Sequence, residues 1–336
     1  MDEFEQKTFM TSRGYQYSYY HKPRDSALDR PTLLLQHGYP DDHNLWERVV
    51  PYFLDLPYPI LAPDLLGYGG SSKPMDAKMY NTKAMAKDLS ELLDHEGIEK
   101  IVSVGHDFGS IMAQRMWLWY PERVVGVILL NAVYSPPRPF DLNLVNSTTE
   151  AAFGRPFFAY WEFFVAPDAP RLMLEHIESV YTANHAAAED FSKKTFCAYG
   201  ALRKFIESDS RVPVKPYAQD PRIKDRWVAR FRRDGFGGPL QWYRAYVNGH
   251  MWEVEQELPK ERYTVTVPLL YIGASQDSAS PTTGIYAPQK AGLLPYLTIK
   301  EVESGHWQTI EVPDKTGPLI ATWLNEQDFK LSRSKL

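Results

Sequence analysis

Cysteine is almost absent from this chain of 336 residues, which contains a single one, Cys197. One cysteine cannot form a disulfide within the chain, so a disulfide framework is excluded. Such low cysteine usage fits a reducing compartment. A lone cysteine is most often a small buried hydrophobic residue, and we expect Cys197 to pack in the core.

A surplus of positive charge is also absent, because 37 Lys and Arg face 42 Asp and Glu, for a formal net charge of −5. Without a basic surplus the chain has little to neutralise phosphates, so we expect no nucleic acid partner. The longest strand-like apolar run, Val124–Leu130, is far shorter than the ~18 apolar residues of a membrane span. The acidic N-terminal sequence MDEFEQKTFM lacks the apolar core of a signal peptide, which disfavours secretion.

Glycine is scarce, with 20 residues, whereas proline is common, with 26, and this balance predicts stiff loops. The chain is rich in aromatic residues, with 9 Trp, 21 Tyr and 16 Phe. These side chains can fill a core or line an apolar pocket supplied with hydroxyl donors. With 44% hydrophobic and 24% charged residues, the composition is that of a globular protein rather than a disordered one.

The first half of the chain alternates short apolar runs with helical patterns, which predicts an α/β fold with a mostly parallel sheet flanked by helices. The runs are apolar throughout, as is typical of strands covered on both faces. One helix is predicted to begin at Asn81 or Thr82 and to end at Gly97. A second begins at Ser110 and ends before Pro121. The predicted strands are Thr32–Gln36, Ile60–Ala62, Ile101–Val104 and Val124–Leu130.

Three prolines in the sequence YSPPRPF, residues 134–140, end this alternation with rigid extended backbone. Beyond them the patterns are helical until about Trp252, and strands resume at Thr264–Gly273 and Leu297–Val302. This order is that of an α/β domain interrupted by a helical insertion. We therefore predict a core of residues 1–136 and 258–336, with an inserted helical cap of residues 137–257.

The sequence GHDFG, residues 105–109, lies between a predicted strand and a predicted helix. Glycines two positions on either side of a central residue are typical of a nucleophile elbow, a strained turn that presents one side chain. The central residue here is Asp107 instead of serine or cysteine. A lone match of this kind is more often a loop whose aspartate caps the next helix, so other motifs must agree.

Other motifs agree with an elbow. The loop HGYP after the first predicted strand is placed to supply one backbone N–H of an oxyanion hole, from Tyr39, and Phe108 is placed to supply the second. An elbow also predicts an acid and then a histidine downstream, and Asp277 and His306 each follow a predicted strand in that order. The other position where related enzymes carry the acid is Asn131, which favours Asp277.

Several spaced motifs together resemble the soluble-type epoxide hydrolases of the α/β-hydrolase superfamily, over nearly the whole chain. They are HGYP (37–40), DLLGYGGSSKP (64–74), GHDFGS (105–110), LQWYR (240–244), GASQD (273–277) and SGHW (304–307). The resemblance implies an α/β-hydrolase fold with an inserted helical cap domain, and a fungal source. The family usually has Trp at the position of Phe108, where only the backbone N–H is needed.

The resemblance also implies the roles of the site residues. Two cap tyrosines of the family hydrogen-bond to the epoxide oxygen, and they match Tyr243 in LQWYR and Tyr160 in a stretch that ends at Pro167. Asp107 would form an ester with the epoxide, since a carboxylate is ionised at neutral pH without a base. His306, oriented by Asp277, would then activate the water that releases a vicinal diol. The expected partner is a small apolar epoxide, with no cofactor and no metal, and the expected pocket residues are His37, Tyr39, Phe108 and Trp307.

Two alternatives stay open. Haloalkane and haloacid dehalogenases share the aspartate elbow and the histidine, but they hold the halide with an indole N–H, or a carboxylate with an arginine, directly after the nucleophile. Phe108 offers neither group, and a pair of phenols suits an oxyanion better than a halide. A non-catalytic binding protein of the same fold is the second alternative, although every catalytic position holds a chemically competent residue.

The last three residues, Ser334, Lys335 and Leu336, match the S-K-L peroxisomal address that an import receptor reads at a free C-terminus. We therefore expect a peroxisomal protein, otherwise a cytosolic one, that binds the peroxisomal import receptor.

Overall fold

The structure, a computed structural model, describes residues 3–23, 29–327 and 329–330. In these residues eight strands form one sheet in the order β1-β2-β4-β3-β5-β6-β7-β8. The strands are β1 (Glu5–Met10), β2 (Gln16–Lys22), β3 (Thr32–Gln36), β4 (Ile60–Pro63), β5 (Ile101–His106), β6 (Val124–Leu130), β7 (Leu269–Ala274) and β8 (Leu297–Val302). Strands β3 to β8 pair in parallel, whereas β1 with β2 and β2 with β4 pair antiparallel.

Helices cover the sheet and fill the segment between β6 and β7. The helices of the core are α1 (Thr82–His95), α2 (Phe108–Trp119), α12 (Tyr286–Lys290), α13 (Gln308–Glu311) and α14 (Pro313–Gln327). Those between β6 and β7 are α3 (Leu142–Phe153), α4 (Trp161–Phe164), α5 (Ala169–Glu175), α6 (Ile177–Asn184), α7 (Ala188–Asp190), α8 (Ala201–Glu207), α9 (Pro221–Asp234), α10 (Gly237–Val247) and α11 (His250–Glu255). A π-helical turn spans Phe191–Phe196, and 3-10 turns span His43–Trp46, Val50–Tyr52, Ala77–Tyr80, Pro216–Gln219, Lys260–Tyr263 and Thr282–Ile285.

The central strands carry the predicted fold. Every residue of β3, β5 and β7 is buried, as expected for parallel strands covered on both faces. The α/β prediction and the four predicted strands of the first half are confirmed. Helix α1 begins after Asn81, whose side chain accepts a hydrogen bond from the Ala84 backbone N–H at 2.9 Å.

One predicted strand is too long, and one pair of strands is not predicted. The predicted strand Thr264–Gly273 begins only at Leu269, because Pro268 directly before it has no N–H for a sheet ladder. The hairpin of β1 and β2 is not predicted by apolar runs. Strand β1 lies at the edge of the sheet and is mostly exposed, and β2 is built of tyrosines and polar residues.

The helical insertion lies between β6 and β7, where the described residues form one isolated bridge, Ala186 with Val214, and no longer strand. A buried ion pair joins it to the core. Arg115 of α2 contacts Glu255 of α11 through Nε to Oε1 at 2.8 Å and Nη2 to Oε2 at 2.9 Å. Removing one partner of such a buried pair costs about 3–5 kcal/mol, since the other charge is left uncompensated. The exact bounds of core and cap stay a prediction.

Cys197 is buried, as expected. Among the described residues, no helix combines the length and the apolar character that crossing a bilayer requires. The proposed targeting residues Ser334, Lys335 and Leu336 lie outside the described residues.

Candidate active site

Asp107 lies at the turn between β5 and α2, where the predicted elbow is found. Its backbone adopts φ 55° and ψ −125°, a conformation that residues other than glycine rarely adopt. The flanking positions must be glycine because a side chain at either one would clash with nearby backbone. A Cβ atom on Gly105 would lie 2.1 Å from the Gly109 carbonyl oxygen, and one on Gly109 would lie 1.9 Å from the Gln36 carbonyl oxygen. The helix therefore starts close enough to the sheet to present the Asp107 carboxylate above it.

Backbone amides hold the Asp107 carboxylate. The Tyr39 N–H donates to Oδ1 at 2.9 Å, and the Phe108 N–H also donates to the carboxylate. Both residues are the ones that the sequence predicts as oxyanion donors. Gly38 is needed for this approach as well, since a Cβ atom there would lie 2.3 Å from Asp107 Oδ1. The second carboxylate oxygen, Oδ2, lies 3.6 Å from Nε2 of His306.

The structure brings Asp277 and His306 to the same place. Nδ1 of His306 lies 2.7 Å from Oδ2 of Asp277, so the buried carboxylate orients the imidazole with Nε2 towards Asp107. The other oxygen of Asp277 accepts from the backbone N–H groups of Ala279 at 3.0 Å and Ser280 at 3.2 Å. The carboxylate is therefore fixed on both sides.

Two supporting residues were not predicted. Asn131, in left-handed conformation at the end of β6, donates from Nδ2 to Asp277 Oδ2 at 2.8 Å and accepts from Gln308 Nε2 at 2.7 Å. The alternative acid position is thus occupied by an amide that braces the acid. His106 is hydrogen-bonded through Nε2 to the His306 carbonyl oxygen at 2.8 Å, and burial lowers the pKa of His106 to about 3. It is a neutral residue that supports the His306 backbone.

The pKa values of His306, Asp107 and Asp277 are shifted by burial and by one another's charges. Burial opposes the charged form of His306, but the carboxylates of Asp277 and Asp107 outweigh it and raise the pKa of His306 to about 9. Burial raises the pKa of Asp107 above its usual value, while the positive charge of His306 and the two amides counteract this. The pKa of Asp277 is lowered despite its burial, because His306 and Asn131 stabilise the carboxylate. These shifts favour a protonated His306 beside the carboxylate of Asp277.

The two predicted tyrosines come from the insertion and face the same carboxylate. Tyr160 directly precedes α4 and Tyr243 lies in α10, with ring centroids 6.0 Å apart. Burial raises the pKa of both phenols well above the usual value of 10, and the negative charge of Asp107 adds to the shift in each. Both therefore remain protonated hydrogen-bond donors across the physiological range.

Asp107, His306 and both tyrosines line one cavity of about 240 Å³. Most of its wall is aromatic and apolar, which suits a hydrophobic ligand. Of the four expected pocket residues, Tyr39, Phe108 and Trp307 line it. The aromatic and aliphatic part of the wall includes Phe108, Ile111, Phe140, Val145, Phe158, Trp161, Phe191, Phe196 and Trp307.

The expectation that His37 lines the pocket is wrong. Its ring is fully buried behind the loop, where Nε2 accepts from the Leu65 backbone N–H at 2.9 Å and Nδ1 lies 3.0 Å from the Gly38 carbonyl oxygen. Burial lowers the pKa of His37 to about 4, so the imidazole is neutral. With both ring nitrogens engaged by backbone, His37 shapes the loop that carries Gly38 and Tyr39.

The arrangement suits attack by a carboxylate followed by a water-dependent step. It combines an ionisable nucleophile, two amides for a developing oxyanion, a histidine oriented by an acid, and two phenols. Within the part of the chain that the structure describes, no group of three or more His, Cys, Asp or Glu side chains is arranged to hold a metal ion.

The chain is similar to known proteins of the alpha/beta hydrolase fold, including proteins named as epoxide hydrolases. Residues 31–313 match the family model of the alpha/beta hydrolase fold. The chain is 28% identical over 306 residues to bifunctional epoxide hydrolase 2 of Mus musculus, covering 88% of this chain but 52% of that protein. It therefore spans about half the length of this curated relative. It is also 28% identical over 309 residues to epoxide hydrolase A of Mycobacterium tuberculosis, covering 89% of this chain and 92% of that protein.

A solved structure agrees with this. The crystal structure of epoxide hydrolase A from Mycobacterium thermoresistibile superposes with a TM-score of 0.78 at 25% identity, over 96% of this chain and 98% of that one. The relatives include proteins from mammals, bacteria and a fungus and do not assign a source, so the fungal source stays a prediction.

The pKa of His306 should depend on the charge of Asp107. In an Asp107→Asn variant we expect this pKa to fall from about 9 by roughly one pH unit or more, since the carboxylate 3.6 Å from Nε2 is removed. NMR titration of the imidazole nitrogens measures it. Asp209→Asn, which removes the carboxylate facing the surface histidine His176, is the control and should leave His306 unchanged. An unaltered His306 titration in Asp107→Asn would contradict the charge coupling.

Proposed function

Because the chain belongs to the alpha/beta hydrolase fold family, we propose that it is an epoxide hydrolase that converts an apolar epoxide to a vicinal diol. The observation that carries the proposal is the placement of two phenols over an aspartate nucleophile in one apolar cavity. Relatives named as epoxide hydrolases, at 28% identity over most of this chain, support it.

In the first step, Oδ2 of Asp107 attacks one epoxide carbon, and the ring C–O bond breaks. A carbon–oxygen bond to Asp107 forms, giving an ester, while the electron pair of the broken bond stays on the ring oxygen. Oδ1 remains held by the Tyr39 N–H, so the carboxylate is oriented with its other oxygen free to attack. The positive charge of His306 favours the ionised form of the nucleophile.

The leaving oxygen remains attached to the substrate and would become a strongly basic alkoxide. Tyr160 and Tyr243 donate hydrogen bonds to it, and one of them transfers its proton. Their pKa values fall as the negative charge of Asp107 is consumed by the ester, because that charge contributes to raising both. The phenols thus become better acids at the moment when the alkoxide forms.

In the second step, His306 takes a proton from a water molecule, which attacks the ester carbonyl carbon of Asp107. The bond between that carbon and Oδ2 then breaks, and the leaving diol oxygen takes the proton that His306 received from water. The carboxylic acid left on Asp107 passes its proton to His306, which regenerates the carboxylate and the imidazolium. Esterification removes the charge of Asp107, one of the carboxylates that raise the pKa of His306. The imidazolium can then return a proton to the tyrosinate left by ring opening, and the neutral imidazole becomes a competent base only after the first step. The Tyr39 and Phe108 amides hold the oxyanion that forms on Oδ1.

Dehalogenation remains the alternative for the same nucleophile. A halide needs a hydrogen-bond donor beside the nucleophile, and Phe108 offers only an apolar ring there. The centroid of this ring lies 4.9 Å from the centroid of the Tyr243 ring. We therefore expect turnover of styrene oxide and little turnover of 1-chloroalkanes. Turnover of 1-chloroalkanes together with no turnover of styrene oxide would contradict the proposal. If no epoxide of a broad panel gave a diol, a non-catalytic binding protein would be favoured.

The two-step reaction predicts that a His306→Gln variant accumulates an ester on Asp107, because ring opening does not require a base whereas ester hydrolysis does. Mass spectrometry of the protein after mixing with an epoxide measures the adduct and its position. His176→Gln, which removes a surface histidine paired with Asp209, is the control and should show normal turnover. If His306→Gln carries no adduct with an epoxide that the wild type converts, the covalent mechanism is wrong.

Each phenol is expected to contribute to ring opening. Replacing Tyr243 or Tyr160 by Phe should slow ester formation by roughly 100-fold, within the usual range for a positioned acid, and the double variant should nearly abolish it. Rapid-mixing kinetics of ester formation measure this. Tyr246→Phe is a matched control, since Tyr246 lines the same cavity one turn after Tyr243 in α10. A double variant with unaffected ring opening would exclude both as acids.

We also propose that Ser334, Lys335 and Leu336, where they form the free end of the chain, direct it to peroxisomes. An N-terminally tagged protein should colocalise with a peroxisomal marker, and deletion of these three residues should release it to the cytosol. Import that persists after the deletion would contradict the proposal.

A further inference from the structure

Arg230, a residue of helix α9 in the insertion, reaches the loop that carries the oxyanion donor Tyr39. Its Nη1 lies 2.7 Å from Oδ2 of Asp42, and its Nη2 donates to the carbonyl oxygen of Pro40. The two side chains are nearly buried, with exposed fractions of 10% for Arg230 and 11% for Asp42. One guanidinium from the insertion therefore binds two points of the catalytic loop.

The bound points adjoin the oxyanion donor. Pro40 directly follows Tyr39, whose N–H donates to Asp107 Oδ1 at 2.9 Å. The loop turns here, with the Asp41 N–H bonded to the Gly38 carbonyl oxygen at 2.9 Å, and Asp42 caps the turn that follows by accepting from the Asn44 N–H. Restraining the Pro40 carbonyl and the Asp42 carboxylate therefore fixes the backbone on the C-terminal side of the Tyr39 amide.

We propose that Arg230 is a positioning residue for the oxyanion hole: it holds the 39–42 loop from the insertion so that the Tyr39 N–H stays directed at Oδ1 of Asp107. The inference rests on the proposed epoxide hydrolysis and deepens it. It assigns the insertion a part in the hydrolytic step, besides the supply of the two phenols.

The chemistry of the pair fits a permanent restraint. Burial alone would raise the pKa of Asp42, but the charges of Arg230 and His43 hold it well below its usual range, so the carboxylate stays ionised. A guanidinium offers several N–H groups in a rigid plane and can serve a carbonyl and a carboxylate at once. An ammonium is a point charge without this fixed geometry, so lysine should substitute only in part.

The same helix provides a matched control. Arg226, one turn before Arg230, pairs with Glu47 of the core, with Nη1 2.7 Å from Oε2. Both partners are exposed, each with a fraction of 45%, and the pair lies outside the 39–42 loop. Arg226→Gln therefore removes a contact of the same kind between insertion and core, without releasing the oxyanion donor.

The effect should differ between the two half-reactions. In ring opening the Tyr39 N–H only orients the carboxylate, whereas in ester hydrolysis it stabilises the charge that develops on Oδ1. In Arg230→Gln we expect the rate constant of ester hydrolysis to fall by roughly 10- to 100-fold, with a smaller change in ester formation, so that the ester accumulates. Single-turnover kinetics give both constants per active site, and loss of folded protein alone would change neither.

Two further variants cover the case in which Arg230→Gln does not fold, since it leaves Asp42 as an unpaired buried charge. Arg230→Leu combined with Asp42→Asn removes both charges and keeps a side chain that can cap the turn. It should show the same selective loss of hydrolysis. Arg230→Lys keeps the positive charge and should retain part of the ester hydrolysis rate that Arg230→Gln loses.

A second measurement does not depend on activity. Hydrogen exchange of the amides in residues 38–42 should be faster in Arg230→Gln than in the wild type, and unchanged in Arg226→Gln. The inference would be overturned if Arg230→Gln slowed both half-reactions equally, or if Arg226→Gln slowed ester hydrolysis as much as Arg230→Gln does. It would also be overturned if amide exchange in residues 38–42 were unchanged in Arg230→Gln. If the wild type hydrolyses no epoxide, the proposed function fails, and the exchange measurement still decides whether Arg230 holds the loop.

Discussion

The close approach of helix α2 to the sheet is the constraint on which the site depends. Gly105 and Gly109 let the first turn of the helix pass within van der Waals distance of backbone, where any side chain would clash with a carbonyl oxygen. This approach forces Asp107 into its strained conformation and lifts the carboxylate to the edge of the sheet. The amides of Tyr39 and Phe108 then lie within reach, so the nucleophile and the oxyanion donors follow from one packing contact.

The charges of the site follow from that placement. His306 lies between the carboxylates of Asp107 and Asp277, which raises its pKa to about 9. A histidine protonated at neutral pH is a poor base, and in the proposed reaction it becomes one only when the ester has removed the charge of Asp107. The same charge contributes to the raised pKa of both tyrosines. Consumption of a single carboxylate therefore prepares the acids and the base in sequence.

The insertion is part of the chemistry as well as a cover. It supplies Tyr160 and Tyr243, it binds the core through the buried pair of Glu255 with Arg115, and Arg230 contacts the oxyanion loop. The pair of Arg115 with Glu255 joins residues 140 positions apart, and the contact of Arg230 with Pro40 joins residues 190 positions apart. Two ion pairs with little exposure thus join the insertion to the core, and one of them, Arg115 with Glu255, also lines the cavity.

The sequence by itself determined the features that depend on local backbone geometry. The apolar runs gave the central strands, the glycines around Asp107 gave the elbow, and strand ends placed Asp277 and His306 in the required order. Only the tertiary structure decided which side chains meet across the fold. It turned His37 away from the cavity and braced Asp277 with Asn131. Such contacts join distant segments and depend on packing and solvent exclusion, for which the local sequence carries no periodic or turn signal.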